Sequence, residues 1–178
     1  MKTVVQRNVA RTVLLIGEGD AEELLLRHLK ALFVFRGSGV AVTIKNARGK
    51  GAQHVVDFAI RQSRNADYDD VLALFDTDAA WTEQVRTQAR RRSVQLLPCE
   101  PCLEALLLQA FGHKTQGFTS QQLKQKFLGV FGRPAHNHNY LRSADALFFE
   151  AAQHRAPGIG TLLALLRRSS SSMQRQRP

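Results

Sequence analysis

Val13-Leu14-Leu15-Ile16-Gly17-Glu18-Gly19-Asp20-Ala21-Glu22 is the stretch whose reading decides the fold. An apolar run of strand length ends in a carboxylate and a glycine, and an amphipathic pattern starts at once. That is the pattern of a buried parallel strand delivering Glu18 to the carboxyl edge of a sheet. A second run, Asp70-Val71-Leu72-Ala73-Leu74-Phe75-Asp76-Thr77-Asp78, repeats the design with two carboxylates. If both strands are central and parallel, Glu18, Asp76 and Asp78 converge where open α/β sheets place their ligands. Acids crowded in this way are costly unless cations lie between them.

Outward from these runs the chain alternates strand and helix. Arg11–Ile16 is the expected first strand. Leu24, Leu25, Leu29, Leu32 and Phe33 then fall at helical spacing, and Arg36-Gly37-Ser38-Gly39 ends that helix. Val40–Ile44 reads as a second strand, followed by the basic loop Asn46-Ala47-Arg48-Gly49-Lys50-Gly51 and a helix over 52–64. Val71–Phe75 is the third strand, 79–92 a helix ending in Arg90-Arg91-Arg92, 93–97 the fourth strand and 101–111 a short helix. The order β-α-β-α-β-α-β-α predicts an α/β fold, a mostly parallel four-stranded sheet with helices on both faces.

Beyond Gly112 the pattern turns helical, with helices expected over 119–131, 143–154 and 161–168 and a break at Ala156-Pro157-Gly158-Ile159-Gly160. Residues 11–112 are read as the α/β domain that carries the strand-end acids, 113–168 as a helical extension, and 169–178 as a low-complexity basic tail with nothing to bury. Met1–Ala10 reads as a ragged leader.

The 178 residues carry a formal net charge of +10, unevenly spread. Residues 1–104 hold 15 Lys/Arg against 13 Asp/Glu, while 105–178 hold 10 Lys/Arg against Asp145 and Glu150 alone. The asymmetry points to a polyanionic partner, nucleic acid before membrane. No run approaches the roughly 18 apolar residues of a membrane helix. The stretch Met1–Asn8 lacks the apolar centre of a signal peptide, and two cysteines give no disulfide framework, so a cytoplasmic protein is expected.

The acids suggest Mg²⁺ (or Mn²⁺), which prefers carboxylate oxygens, offsets phosphate charge and activates water. Asp76 and Asp78 are the expected ligands. Glu18 completes the shell or acts as general acid or base, and Glu22, one turn into the helix, points back towards it. Lys45, Arg48 and Lys50, with Arg90, Arg91 and Arg92, are candidates for contact with nucleic-acid phosphates, the last three being equally well explained as a solvated helix end. Cys99-Glu100-Pro101-Cys102 has redox or zinc spacing, but no second pair closes a zinc site, and two buried thiols explain it better. Loop polarity accounts for His136-Asn137-His138. Trp81 has the ordinary role of packing at a helix start, with base stacking as its alternative.

Glu18-Gly19 followed by Asp76-Thr77-Asp78 resembles the Toprim catalytic domain of topoisomerases, primases and overcoming-lysogenization-type nucleases. More narrowly, Glu18-Gly19-Asp20-Ala21-Glu22 and Pro101-Cys102-Leu103-Glu104 are similar to the RloB-like branch associated with prokaryotic defence loci. The resemblance spans roughly residues 11–111 and departs from that branch at Gln109-Ala110, where a histidine is expected. It implies a Rossmann-like Toprim fold, Mg²⁺ bound by these acids, nuclease activity and a defence-system partner protein. It also adds Glu104 to the ligand set, although a carboxylate opening a helix is equally explained by the helix dipole. A haloacid-dehalogenase-type phosphatase also starts from a strand-end Asp-x-Asp, but Ala80 stands where that chemistry wants Thr or Val, and Glu18 is left without a role. The other alternative is a non-catalytic nucleic-acid-binding or assembly subunit on a degenerate Toprim scaffold.

Overall fold

The four apolar runs pair side by side, all parallel, in a computed structural model that describes residues 9–77 and 81–167. The strands are β1 (Arg11–Gly17), β2 (Val40–Asn46), β3 (Asp70–Asp76) and β4 (Val94–Cys99), in the order β2-β1-β3-β4. Register aligns Gly17 with Asn46 on one side and Leu74 on the other, and Asp76 with Cys99. The chain leaves β1 for β2 on one side, then crosses back to β3 on the other. The strand order therefore reverses between β1 and β3, the place where such sheets open a crevice.

Both faces of β1 and β3 are buried, which explains their unbroken apolar sequence. Leu14, Ile16, Val71, Ala73 and Phe75 pack against α2 (Gly51–Ser63) and α3 (Glu83–Arg91). Val13, Leu15, Leu72 and Leu74 face the other way, onto α1 (Asp20–Phe33) and α4 (Leu103–Ala110). The same apolar cluster takes in Leu123 and Phe127 of α5 (Ser120–Phe131), Phe149 of α6 (Ala146–Ala152) and Leu162, Leu163 and Leu166 of α7 (Pro157–Arg167). The C-terminal helices thus complete one face of the sheet and share its core.

Several boundaries differ from expectation for local reasons. The third helix begins at Glu83 because Thr82 caps it, its hydroxyl accepting from the Val85 N–H; Ala79 and Ala80 lie outside the described residues. Pro157, expected in a break, is the first residue of α7, where its missing N–H is no loss. Gly158 permits this helix to press close, since a Cβ there would meet Leu106 Cδ1 at 2.9 Å. The expected helix over 143–154 shortens to α6, capped by Asp145, and is preceded by a 3₁₀ turn, His138–Ser143, that begins at the end of the loop expected around His136-Asn137-His138. Residues 1–8 and the tail 169–178 lie outside the described residues. No helix among the described residues is long and apolar enough to cross a membrane.

Candidate metal centre

Glu18 leaves the end of β1, with its own N–H donating to Leu74 O at 3.0 Å. Its carboxylate accepts two backbone hydrogen bonds, from Asp76 N at 3.0 Å and from Gly51 N at 3.2 Å. The second matters because the N-cap residue of α2, Lys50, offers no side-chain acceptor. Glu18 supplies that acceptor from another element, placing a negative charge at a helix N-terminus. The loop that delivers Gly51 runs through four positive φ values in succession, 62° at Arg48, 79° at Gly49, 77° at Lys50 and 78° at Gly51. Gly49 N donates to Glu18 O at 2.7 Å, so the loop closes around this one residue. Glu18 thereby ties β1, β3 and α2 together at the point where the strand order reverses.

The cleft itself opens beside it, about 350 Å³ in volume and lined by Asp20, Glu22, Asp76, Glu104, Lys124 and His136 among others. Glu22 is buried, at 6% exposure, with one carboxylate oxygen accepting from Gly19 N at 2.9 Å. Half-buried Asp76 accepts from Leu103 N at 2.7 Å, and its other oxygen lies 3.8 Å from Lys124 Nζ. Burial pushes the Glu22 carboxyl up to about 7; its bonds to backbone N–H groups oppose this, and Glu18 and Glu104 add to it. Asp76 is likewise pushed up to about 7, by burial first and by Glu22 next, with the Leu103 N–H and Lys124 opposing. Burial is the first cause for both acids, and neighbouring carboxyls add to it.

The structure thus brings Glu18, Glu22, Asp76 and Glu104 to one edge, while Asp78 lies outside the described residues. Exposed Lys45, Arg48 and Lys50 follow β2 to the same edge, where Arg48 flanks a second hollow with Gly19, Asp20, Glu23 and Asn46. Arg90, Arg91 and Arg92 do not join them. They end α3 where β4 begins, at the amino edge, and Arg91 and Arg92 border a groove with Arg64. Cys99 and Cys102 are buried free thiols, each pushed up by burial. Trp81 packs on Phe75, with ring centroids 5.2 Å apart, and the Arg86 guanidinium lies over the Trp81 ring, 4.5 Å from its centroid.

Lys124, and His136, which was put down to loop polarity, are cleft residues that sequence reasoning did not bring to the site. Both come from the helical part after Gly112, and nothing in their local sequence announces the approach to Asp76.

The donor set suits a hard cation. Glu22, Asp76 and Glu104 offer carboxylate oxygens, of which one on Glu22 and one on Asp76 are already fixed by backbone N–H groups. Among the described residues no three Asp, Glu, His or Cys side chains stand together at ligating distance, so a cation would draw these acids inward. No protein-family model, curated protein or solved structure matches the chain.

Proposed function

We propose that this protein cleaves nucleic-acid phosphodiesters with Mg²⁺ or Mn²⁺ as cofactor, as a Toprim-type nuclease of the RloB-like kind acting in prokaryotic defence. The observation that carries the reading is the pair Glu22 and Asp76, two acids pushed to about 7 by burial and crowding at the switch point of a parallel sheet. A group of acids that the fold itself disfavours is a candidate functional site.

Glu22, Asp76 and Glu104 would hold the cation, with Asp78 following Asp76 in sequence. The bound ion would supply charge neutralisation on the phosphate and activation of water. Lys124, 3.8 Å from Asp76 and largely exposed, faces the same space and is placed to offset negative charge on a phosphoryl group. Arg48 and Lys50, held in left-handed backbone conformations beside Glu18, present cations to the flanking strand. Glu18 orients the set by fixing the Asp76 backbone.

The commitment of both Glu18 oxygens to backbone N–H groups also favours a second reading, a binding or assembly subunit in which this acid has only a structural role. Melting curves with and without Mn²⁺, read together with nuclease assays, separate the two. The nuclease reading expects a Mn²⁺-induced stabilisation of about 2.7 kcal/mol at a hundredfold excess over Kd. It expects Asp76→Asn to abolish both that shift and cleavage while nucleic-acid binding survives. A wild-type protein with no metal shift and no cleavage, but with salt-sensitive binding, leaves the subunit reading in its place.

A further inference from the structure

Tyr140 lies in the 3₁₀ turn His138–Ser143 and is 5% exposed. Its ring packs edge-on against Phe127, with centroids 5.1 Å apart, and 5.7 Å from Phe131. Neither ring accepts a conventional hydrogen bond, and among the described residues no group accepts one from the Tyr140 hydroxyl. A buried hydroxyl in that condition is less favourable than a phenylalanine of the same shape, so its presence needs a reason. The neighbourhood suggests one. The carboxyls near enough to add to the effect of burial, and so push the phenol further above its ordinary value, are Glu22 and Glu104, both lining the cleft. The residues flanking Tyr140 lead to the same place. His136, four residues earlier, lines the cleft, as does Lys124, three residues before the Phe127 that packs on the ring.

The hydroxyl is therefore buried near two cleft carboxyls that it does not bond. We propose that Tyr140 is a positioning residue whose hydroxyl donates its hydrogen bond to an oxygen acceptor that enters the cleft with the divalent cation, either a water or a phosphate oxygen. The inference rests on the cation reading above and extends it: the helical part of the chain would orient what the acids hold. An acceptor between Tyr140 and the two glutamates satisfies the phenol and gives the carboxylates a bridge to the ligand.

Tyr140→Phe tests this with little risk to folding, because it removes one oxygen and keeps the ring. Metal-free, the variant should melt about 2–4 °C higher than wild type, the size expected for losing one buried unpartnered hydroxyl from a domain of this length. Titration calorimetry with Mn²⁺ alone should then show threefold to tenfold weaker binding, the loss of one hydrogen bond. If instead Mn²⁺ binds equally and only inorganic phosphate added with Mn²⁺ binds more weakly, the acceptor is a phosphate oxygen, and the proposal stands in that form. Tyr68→Phe, packed against the cluster on the opposite face of the sheet, serves as the control and should alter neither titration. Wild-type protein that binds no Mn²⁺ removes the cation reading itself. Wild-type protein that binds Mn²⁺ and phosphate, with Tyr140→Phe binding both equally, overturns this inference alone. A metal-free variant less stable than wild type overturns it too, because the hydroxyl then already has its partner in the protein.

Discussion

Strand β3 begins and ends with an aspartate, and the two are treated in opposite ways. At the amino end Asp70 meets the guanidinium of Arg11, with Nε at 2.7 Å and Nη2 at 2.5 Å from one oxygen, and Arg11 also donates to Leu165 O at 2.7 Å. Both side chains are nearly buried, at 4% and 11% exposure, and each supplies the charge the other needs. At the carboxyl end Asp76 faces Glu22 and Glu104, and the cation it meets, Lys124, is 48% exposed and 3.8 Å away. One strand, one residue type and similar burial give a closed ion pair at one end and an acid held near neutrality at the other. The amino end is matched by a buried guanidinium, whereas the carboxyl end keeps its acids crowded beside one exposed lysine.

The largest effect expected from breaking this contrast is at the amino end. Arg11→Met should cost about 3–5 kcal/mol, since it removes the guanidinium that meets nearly buried Asp70 and donates to Leu165 O. Urea unfolding measures it, and a loss below about 1 kcal/mol would mean that the pair is only surface electrostatics.

At the other end the sign reverses. Between about pH 4 and 7 the folded protein keeps protons on Glu22 and Asp76 that the unfolded chain has released, so metal-free stability falls as pH rises through that window and levels off above it. Asp76→Asn keeps an oxygen for the Leu103 N–H and removes the charge. It should therefore raise metal-free stability at pH 8 by on the order of 2 kcal/mol and change little at pH 5. Equal effects at the two pH values would show that Asp76 titrates normally.

The smallest effect on stability should come from the arginines at the amino edge. Arg90→Gln, Arg91→Gln and Arg92→Gln should each shift stability by no more than about 0.5 kcal/mol and leave any Mn²⁺ response intact. If these side chains bind phosphate at all, the logarithmic salt slope of nucleic-acid binding should flatten by about one for each arginine so replaced. Neutralising Lys45, Arg48 and Lys50, at the acid edge, should weaken nucleic-acid binding more.

Much of this architecture was legible because buried parallel strands write themselves as unbroken apolar runs. Val13–Ile16 and Val71–Phe75 could hardly be anything else, and their terminal acids located the cleft. The sequence was less informative where one local signal stood for two structures. Pro157 is read equally well as a helix breaker and as a first helical residue, and only packing against Leu106 decides. A solvated Arg-rich helix end and a phosphate contact look alike until topology places Arg90–Arg92 at the far edge. Lys124 and His136 were hidden for a different reason. Their nearness to Asp76 is created by α5 and the following loop folding back onto α4, a long-range event that leaves no periodic trace. Tyr140 was hidden in the same way, inside a 3₁₀ turn between the expected loop and the expected helix.

Gly17 has no side chain, and a Cβ there would stand 2.8 Å from Glu22 Cβ and 2.9 Å from Glu23 N. The first turn of α1 is thus as near to the end of β1 as two backbones allow. This makes the two walls of the cleft mechanically unequal. The backbone carrying Glu22 rests against the end of β1, so Glu22 can meet a guest only by turning its side chain, while Lys124 and His136 border the cleft with exposed side chains. Larger accommodation to a guest falls to the side bearing Lys124 and His136, so the protein resembles a vice with one jaw braced.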